Sequence, residues 1–208
     1  MITGIDHVVR VVSDLDRAVA EHEARGFTVT PGGEHAGGLT HNALVGFADG
    51  SYLELIAFHD AAAARGQHSW QPVAERGGGW ADFALGSDDL AADAAALSDL
   101  LKRPPESGGR TRPDGVAVAW QSARLVAPLP FLIEDITLRQ VRVPSGAQAT
   151  HANGTRGIAG IVLGTRDVAG TTARYARLRE RRAPPIEIVP ADEDRLRDVR
   201  FRVEPRRA

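Results

Sequence analysis

Two ionisable residues stand out because of their neighbours. In Tyr52–Phe58, YLELIAF, period-2 alternation puts Tyr52, Glu54, Ile56 and Phe58 on one strand face. Glu54 is thus a carboxylate in an apolar and aromatic row, where a charge is costly unless something pairs with it or coordinates it. In Gly4–Val12, GIDHVVRVV, the residues Ile5, His7, Val9 and Val11 share a face, and His7 is the polar member. The two read either as metal ligands or as a buried hydrogen-bonded pair without chemistry. His41 lies on the face of Ala43, Val45 and Phe47. Histidine titrates near neutrality, so His41 reads as a general base, a substrate contact or a core histidine bonded to a backbone carbonyl. Asn42, on the opposite face, is expected to satisfy backbone groups. Tyr52 and Trp120 read as walls of an apolar cavity or as plain core. His151 and Asn153 sit in a loop that either covers a cavity mouth or forms a polar surface turn.

The elements that position these residues follow from local signals. Asp49-Gly50 supplies the positive φ of a tight turn, so Thr40–Phe58 reads as a hairpin. Ser13 or Asp14 caps a helix running to Arg25, and Gly26 ends it. A short strand over Phe27–Thr30 and a glycine-rich loop to Gly38 precede the hairpin. The first unit is therefore strand, helix, strand, strand, strand over 1–58. After a linker over 59–78, with room for one helical turn, Gly79–Leu90 repeats the outline of Gly4–Leu15. Laying Leu90 on Leu15 puts Asp82 at the His7 position. A helix from Leu90 to about Leu101 stops at Pro104-Pro105. Strands follow near Gly108–Arg112 and Val116–Val126. Phe131–Ile136, FLIEDI, then matches YLELI, with Glu134 at the Glu54 position. Glu134 and Asp135 must face opposite ways, and a register slip of one exchanges them. A third start, Gly157–Val168, leads to a helix over 168–182 and strands near 186–189 and 199–203. It carries Gly160 at the His7 position and looks truncated over 155–208.

Composition narrows the classes. The chain has 208 residues, 43% of them hydrophobic, enough for a sizeable core. A net charge of −2 gives no reason to expect nucleic-acid or membrane-surface partners. There are no cysteines, which excludes disulfides, thiolate metal sites and thiol nucleophiles. A cytoplasmic location fits, and the N-terminus shows no signal-peptide pattern. No Gly-x-Ser-x-Gly elbow or His-Glu-x-x-His motif is present. The glycine pairs at 32–33 and 37–38 lack the Lys-Ser/Thr of a phosphate loop.

Internal repetition of βαβββ, with GIDHVV, THNALVGF, YLELIAF, GWADFAL, PFLIED and HANG, resembles the glyoxalase-like branch of the vicinal oxygen chelate superfamily. The resemblance spans nearly the whole chain. It implies an α+β fold in which tandem βαβββ units, paired over 1–137, form curved mixed sheets around a cavity, with a truncated βαββ unit packed on them. It also implies a divalent cation held by the first and last strands of both units. The candidate ligands are then His7, Glu54, Asp82 and Glu134. Asp82 departs from the histidine usual at that position, and a set of three carboxylates and one imidazole favours Mg²⁺ or Mn²⁺ over Zn²⁺ or Ni²⁺. The superfamily hosts many reactions, so fold alone does not select one. Two readings follow. In one, the chain is a lyase- or isomerase-type enzyme whose cation chelates two substrate oxygens and stabilises an enolate or oxyanion, while Glu134 or His41 moves the proton and Tyr52, Trp120 and His151 contact substrate. In the other it is a metal-free module that binds a small molecule in the same cavity. A homodimer stands as an open assembly.

Overall fold

A computed structural model describes residues 1–204. Three aspartates start the three main helices. Asp14, Asp89 and Asp167 accept from the backbone N–H groups of Arg17, Ala92 and Gly170, satisfying donors that have no partner within the helix. They open α1 (Leu15–Ala24), α3 (Leu90–Ala96) and α5 (Val168–Glu180). Each follows a long strand: β1 (Ile2–Val11), β5 (Gly79–Ser87) and β9 (Thr155–Thr165). The short α2 (Gln71–Glu75) lies in the connection between the first two units.

The first unit continues with β2 (Thr30–His35), β3 (Thr40–Gly46) and β4 (Tyr52–Phe58), the second with β6 (Glu106–Thr111), β7 (Ala117–Ala123) and β8 (Phe131–Asp135). Together they close a mixed eight-stranded barrel in the order β1-β4-β3-β2-β6-β7-β8-β5. This is the tandem βαβββ architecture around a central cavity. A short helix α4 (Arg139–Arg142) follows β8. The last unit forms its own three-stranded sheet, with β9 between β10 (Glu187–Pro190) and β11 (Arg195–Val203).

One strand lies where the sequence suggested loop. Phe27 to Val29 is irregular, and β2 instead takes in Pro31-Gly32-Gly33. The glycines allow this. Gly33 has φ +120°, and a Cβ there would lie 1.9 Å from the Thr111 carbonyl oxygen of β6. Only a residue without a side chain lets β2 join β6 and close the barrel.

Strand alternation splits the packing in two. Leu53, Leu55, Val8, Phe83, Leu85 and Leu132 face outwards and pack with Ala18, Leu90, Ala94 and Leu97 of the flanking helices. Val9, Val11, Ile56, Ala84, Phe131 and Ile133 face inwards with Trp70. The inner wall is therefore apolar except where a polar residue occupies an inward position. Asp93, fully buried on α3, pairs with Arg181 after α5 and ties the last unit to the second.

Candidate active site

The inward positions of β1, β4, β3 and β2 carry the polar end of the cavity. β1 and β4 run parallel, with His7 opposite Tyr52 and Val9 opposite Glu54. In the antiparallel β3–β4 pair, Asn42 stands opposite Ile56 and His41 opposite Ala57. Directly opposed residues share a face. Asn42 thus joins the cavity face of Glu54 and Ile56, and His41 points outwards. β2 adds His35 to the cavity lining.

Glu54 is the hub. Its Oε1 accepts from Asn42 Nδ2 at 2.6 Å and lies 3.3 Å from His35 Nε2, while Oε2 lies 3.6 Å from His7 Nε2. Burial alone would raise its pKa. The hydrogen bond and charge of His35, the charge of His7 and the Asn42 amide outweigh that and hold the carboxyl at about 2. Asn42 reaches Glu54 because residue 32 is glycine: a Cβ there would lie 2.0 Å from Asn42 Oδ1. The His35 ring is set from behind by Thr40 Oγ1, 2.9 Å from Nδ1.

His7 has its own backing. Its Nδ1–H donates to Asp6 Oδ1 at 2.6 Å, which directs Nε2 towards Glu54. Asp6 is buried, a cost that would raise its pKa. Arg142 and the His7 contact hold it well below the ordinary carboxylate value. Arg142, itself almost fully buried, donates to both Asp6 oxygens, to Asp135 and to the Tyr52 hydroxyl. The Tyr52 ring stacks on the His7 imidazole with centroids 4.5 Å apart. An imidazole held by a buried carboxylate at Nδ1, with Nε2 presented to a cavity, is the arrangement that general-base chemistry requires.

The cavity encloses about 230 Å³. Its walls include Ile56, Trp70, Trp120, Phe131 and Ile133, with Arg110 and Arg124 as further cations. Trp120 meets the His35 ring edge-on at 6.1 Å. His68, also on the wall, has its pKa lowered to about 4 by burial and by the neighbouring charges of Arg124 and His35.

A family model for the glyoxalase-like domain matches residues 5–179. The chain belongs to the glyoxalase-like domain family. Its fold is shared by a hypothetical protein from Staphylococcus aureus, with a TM-score of 0.76 over 94% of this chain and 89% of that one at 15% identity. A Streptomyces coelicolor methylmalonyl-CoA epimerase is 24% identical over 66% of this chain and 100% of its own, with a TM-score of 0.49. The methylmalonyl-CoA epimerase of Mycobacterium tuberculosis is 20% identical over 64% and 89%, with a TM-score of 0.45. Comparison with curated proteins finds no match.

Within this glyoxalase-like fold the sequence-derived ligand set does not converge. His7 and Glu54 meet. Asp82 instead accepts from Trp70 Nε1, Arg124 Nη1 and the Phe83 N–H. Glu134 faces outwards and accepts from the Leu90 N–H at the start of α3, while Asp135 takes the inward position. The parallel registers give the reason. Ala84 stands opposite Phe131 as His7 stands opposite Tyr52. Two residues further along each last strand come Ile133 and Glu54, so Ala84 and Ile133 hold the second-unit positions. Neither can ligate a cation. The four-donor centre therefore does not fit this cavity.

The remaining expectations divide. Tyr52 and Trp120 line the cavity. His41 stacks on His59 with centroids 4.4 Å apart, and His59 Nε2 lies 2.7 Å from Glu34. Ligand atoms of Glu34, His41 and His59 lie within 4.8 Å of one another, a surface geometry able to hold a divalent metal. His151 is buried away from the cavity: Nδ1 accepts from the Thr28 N–H and Nε2–H donates to the Gly46 carbonyl. Burial lowers its pKa, and it serves as a neutral tie between segments. Asn42, expected to satisfy backbone groups, instead donates to Glu54, and Asp6, His35, Arg110 and Arg142 were not singled out from sequence. A signal existed for Asp6, because a carboxylate directly preceding His7 can reach back to Nδ1.

Proposed function

We propose that this chain is a glyoxalase-like enzyme of the lyase or isomerase type, which moves a proton at a carbon next to a carbonyl. The observation that carries this reading is the Asp6–His7 pair, with Nε2 facing the Glu54 carboxylate at the cavity wall. His7 would abstract the proton, with Asp6 fixing its tautomer and stabilising the imidazolium that forms. Glu54, kept ionised, favours that imidazolium by its charge. The Arg110 guanidinium would face the negative charge that develops on the substrate oxygen. The apolar wall of Ile56, Phe131 and Ile133 would take the substrate's body. No step runs through a cation, because Ala84 and Ile133 leave its second half without donors.

The test is deuterium incorporation next to the carbonyl of small 2-oxo compounds, followed by NMR in D₂O. Wild-type protein should accelerate exchange after chelator treatment. Asp6→Asn should slow it by on the order of a hundredfold or more, because the fixed tautomer is lost. Compounds that bind with no exchange would instead identify the cavity as a binding module.

A further inference from the structure

The cations of the cavity differ in one respect. Arg142 is neutralised by Asp6 and Asp135, and Arg124 by Asp82. Arg110 is only 5% exposed, yet it joins no ion pair among the described residues. Its Nε donates to the Gly32 carbonyl at 3.0 Å and its Nη2 to the Arg142 carbonyl at 2.6 Å. A guanidinium has five N–H donors, and these contacts hold the fork in place; the Glu54 carboxylate acts on it through space without reaching it as an ion pair. Burying a charge unpaired is costly. The arrangement makes sense when a ligand brings the missing anion.

Position defines that anion further. In the β2–β6 pair, Arg110 stands directly opposite His35, so both share the cavity face, and His35 is the residue that reaches Glu54. Gly108, one inward position away on β6, lies opposite Trp120. A Cβ at 108 would sit 2.3 Å from Trp120 Nε1, so glycine there lets the indole lie over β6 on the cavity face that also carries Arg110. One cavity thus offers a fork-shaped cation, an aromatic wall and the fixed Glu54 carboxylate that His35 contacts. A monoanion of planar shape suits the fork. A dianion would meet Glu54 with its second charge.

We propose that Arg110 is the anion-binding residue of this cavity and that its substrates are small carboxylic acids with an apolar or aromatic body, bound as carboxylates. This names the substrate class of the enzyme reading above and rests on it for the word substrate, though not for the binding itself. A carboxylate on Arg110 would place the carbon skeleton between Trp120 and the His7 and Glu54 side chains.

Equilibrium binding tests it. Isothermal titration at pH 7 compares phenylpyruvate, phenylacetate and benzoate with their primary amides and with phenylphosphonate. Wild-type protein should prefer at least one acid over its amide by about tenfold to a hundredfold, the scale of a charge-assisted hydrogen bond, and should bind phenylphosphonate more weakly. Arg110→Gln should abolish the preference while amide binding persists. Arg110→Lys, which keeps charge but not the fork, should reduce it and serves where the Gln variant does not fold. Acids bound no better than amides, no binding of any acid, tighter binding of the phosphonate, or a preference that survives in either variant would overturn the proposal. Because the readout is binding in the cavity, His41→Gln, on the outer face of β3, should leave the preference intact. Loss of proton exchange with the preference retained would defeat only the proton-transfer reading. Exchange retained without any acid preference would defeat only this one.

Discussion

Replacing Arg142 by methionine tests the network that holds His7. Asp6 and Arg142 have side-chain exposures of 2% and 1%, and two Arg142 nitrogens reach the two Asp6 oxygens at 3.1 and 2.8 Å. Removing one partner of such a buried pair costs about 3–5 kcal/mol, because the other charge is left uncompensated. Arg139 Nη1 also reaches Asp6, at 2.5 Å, but is 41% exposed and screened. It retains part of the compensation, which puts Arg142→Met near the low end, about 3 kcal/mol. Asp6→Asn leaves Arg142 with Asp135 and should cost about 1–3 kcal/mol, the worth of hydrogen bonds to a charged group. The double variant removes the ion pair altogether. It should be more stable than the two single losses predict by about 1–3 kcal/mol. Urea denaturation of the four proteins at pH 7 measures this. Additivity within about 0.5 kcal/mol would mean that Asp6 and Arg142 are not coupled, and the basis for a fixed His7 tautomer would fall with it.

Other outcomes follow from the same contacts. Glu54 titrates at about 2 in the folded chain against an ordinary 4.5. At roughly 1.36 kcal/mol per pKa unit this contributes about 3 kcal/mol, present above pH 4.5 and lost as pH falls towards 2. Glu54→Gln should flatten that loss in acid denaturation. A wild-type curve unchanged by the substitution would contradict the pairing with His35 and His7. His68, lowered to about 4, acts earlier: stability should fall as pH drops from 6.5 towards 4, and His68→Gln should remove that component. Leu55→Ala, at a position with no exposure on the helix-facing side of β4, should cost about 2–5 kcal/mol by thermal or urea denaturation. Divalent cation bound by the folded protein should depend on Glu34, His41 and His59. Titration of Mn²⁺, Mg²⁺, Ni²⁺ and Zn²⁺ should then show binding abolished by His59→Ala and unaffected by Glu54→Gln, and the reverse pattern would return the metal to the cavity.

How much was legible in the sequence depends on how local each signal was. The repeated strand–helix starts rest on aspartate caps and alternating apolar residues within a few positions, and Asp14, Asp89 and Asp167 all act as caps. Glu54 and His7 were visible because each interrupts an apolar strand face. Their partners were not. His35 lies in PGGEHAGG, whose glycines read as loop, and it reaches the cavity only because β2 pairs with β6 across the two units. The outward turn of His41 followed from a hairpin register that places Ala57 opposite it. Asp82 was aligned on His7 by laying Leu90 on Leu15, but the stretch from Ala84 to Leu90 is two residues shorter than that from His7 to Leu15, so Ala84 pairs with His7 and Asp82 with Val9, where Arg124 and Trp70 hold it. Glu134 and Asp135 exchanged faces through a slip of one residue, the error to which period-2 patterns are most exposed. Arg110 and Arg142 are far in sequence from the groups they serve, and nothing in their local sequence announces burial.

The most direct measurement compares the inner and outer histidines on one reaction. Deuterium exchange next to the carbonyl of phenylpyruvate, or of whichever 2-oxo acid the protein binds best, is followed by NMR for wild type, His7→Gln and His41→Gln, each confirmed folded by circular dichroism. His7→Gln should lose about 10²- to 10⁴-fold in rate, while His41→Gln should keep the wild-type rate. Exchange that survives in His7→Gln, or that falls with His41→Gln instead, would contradict His7 as the base.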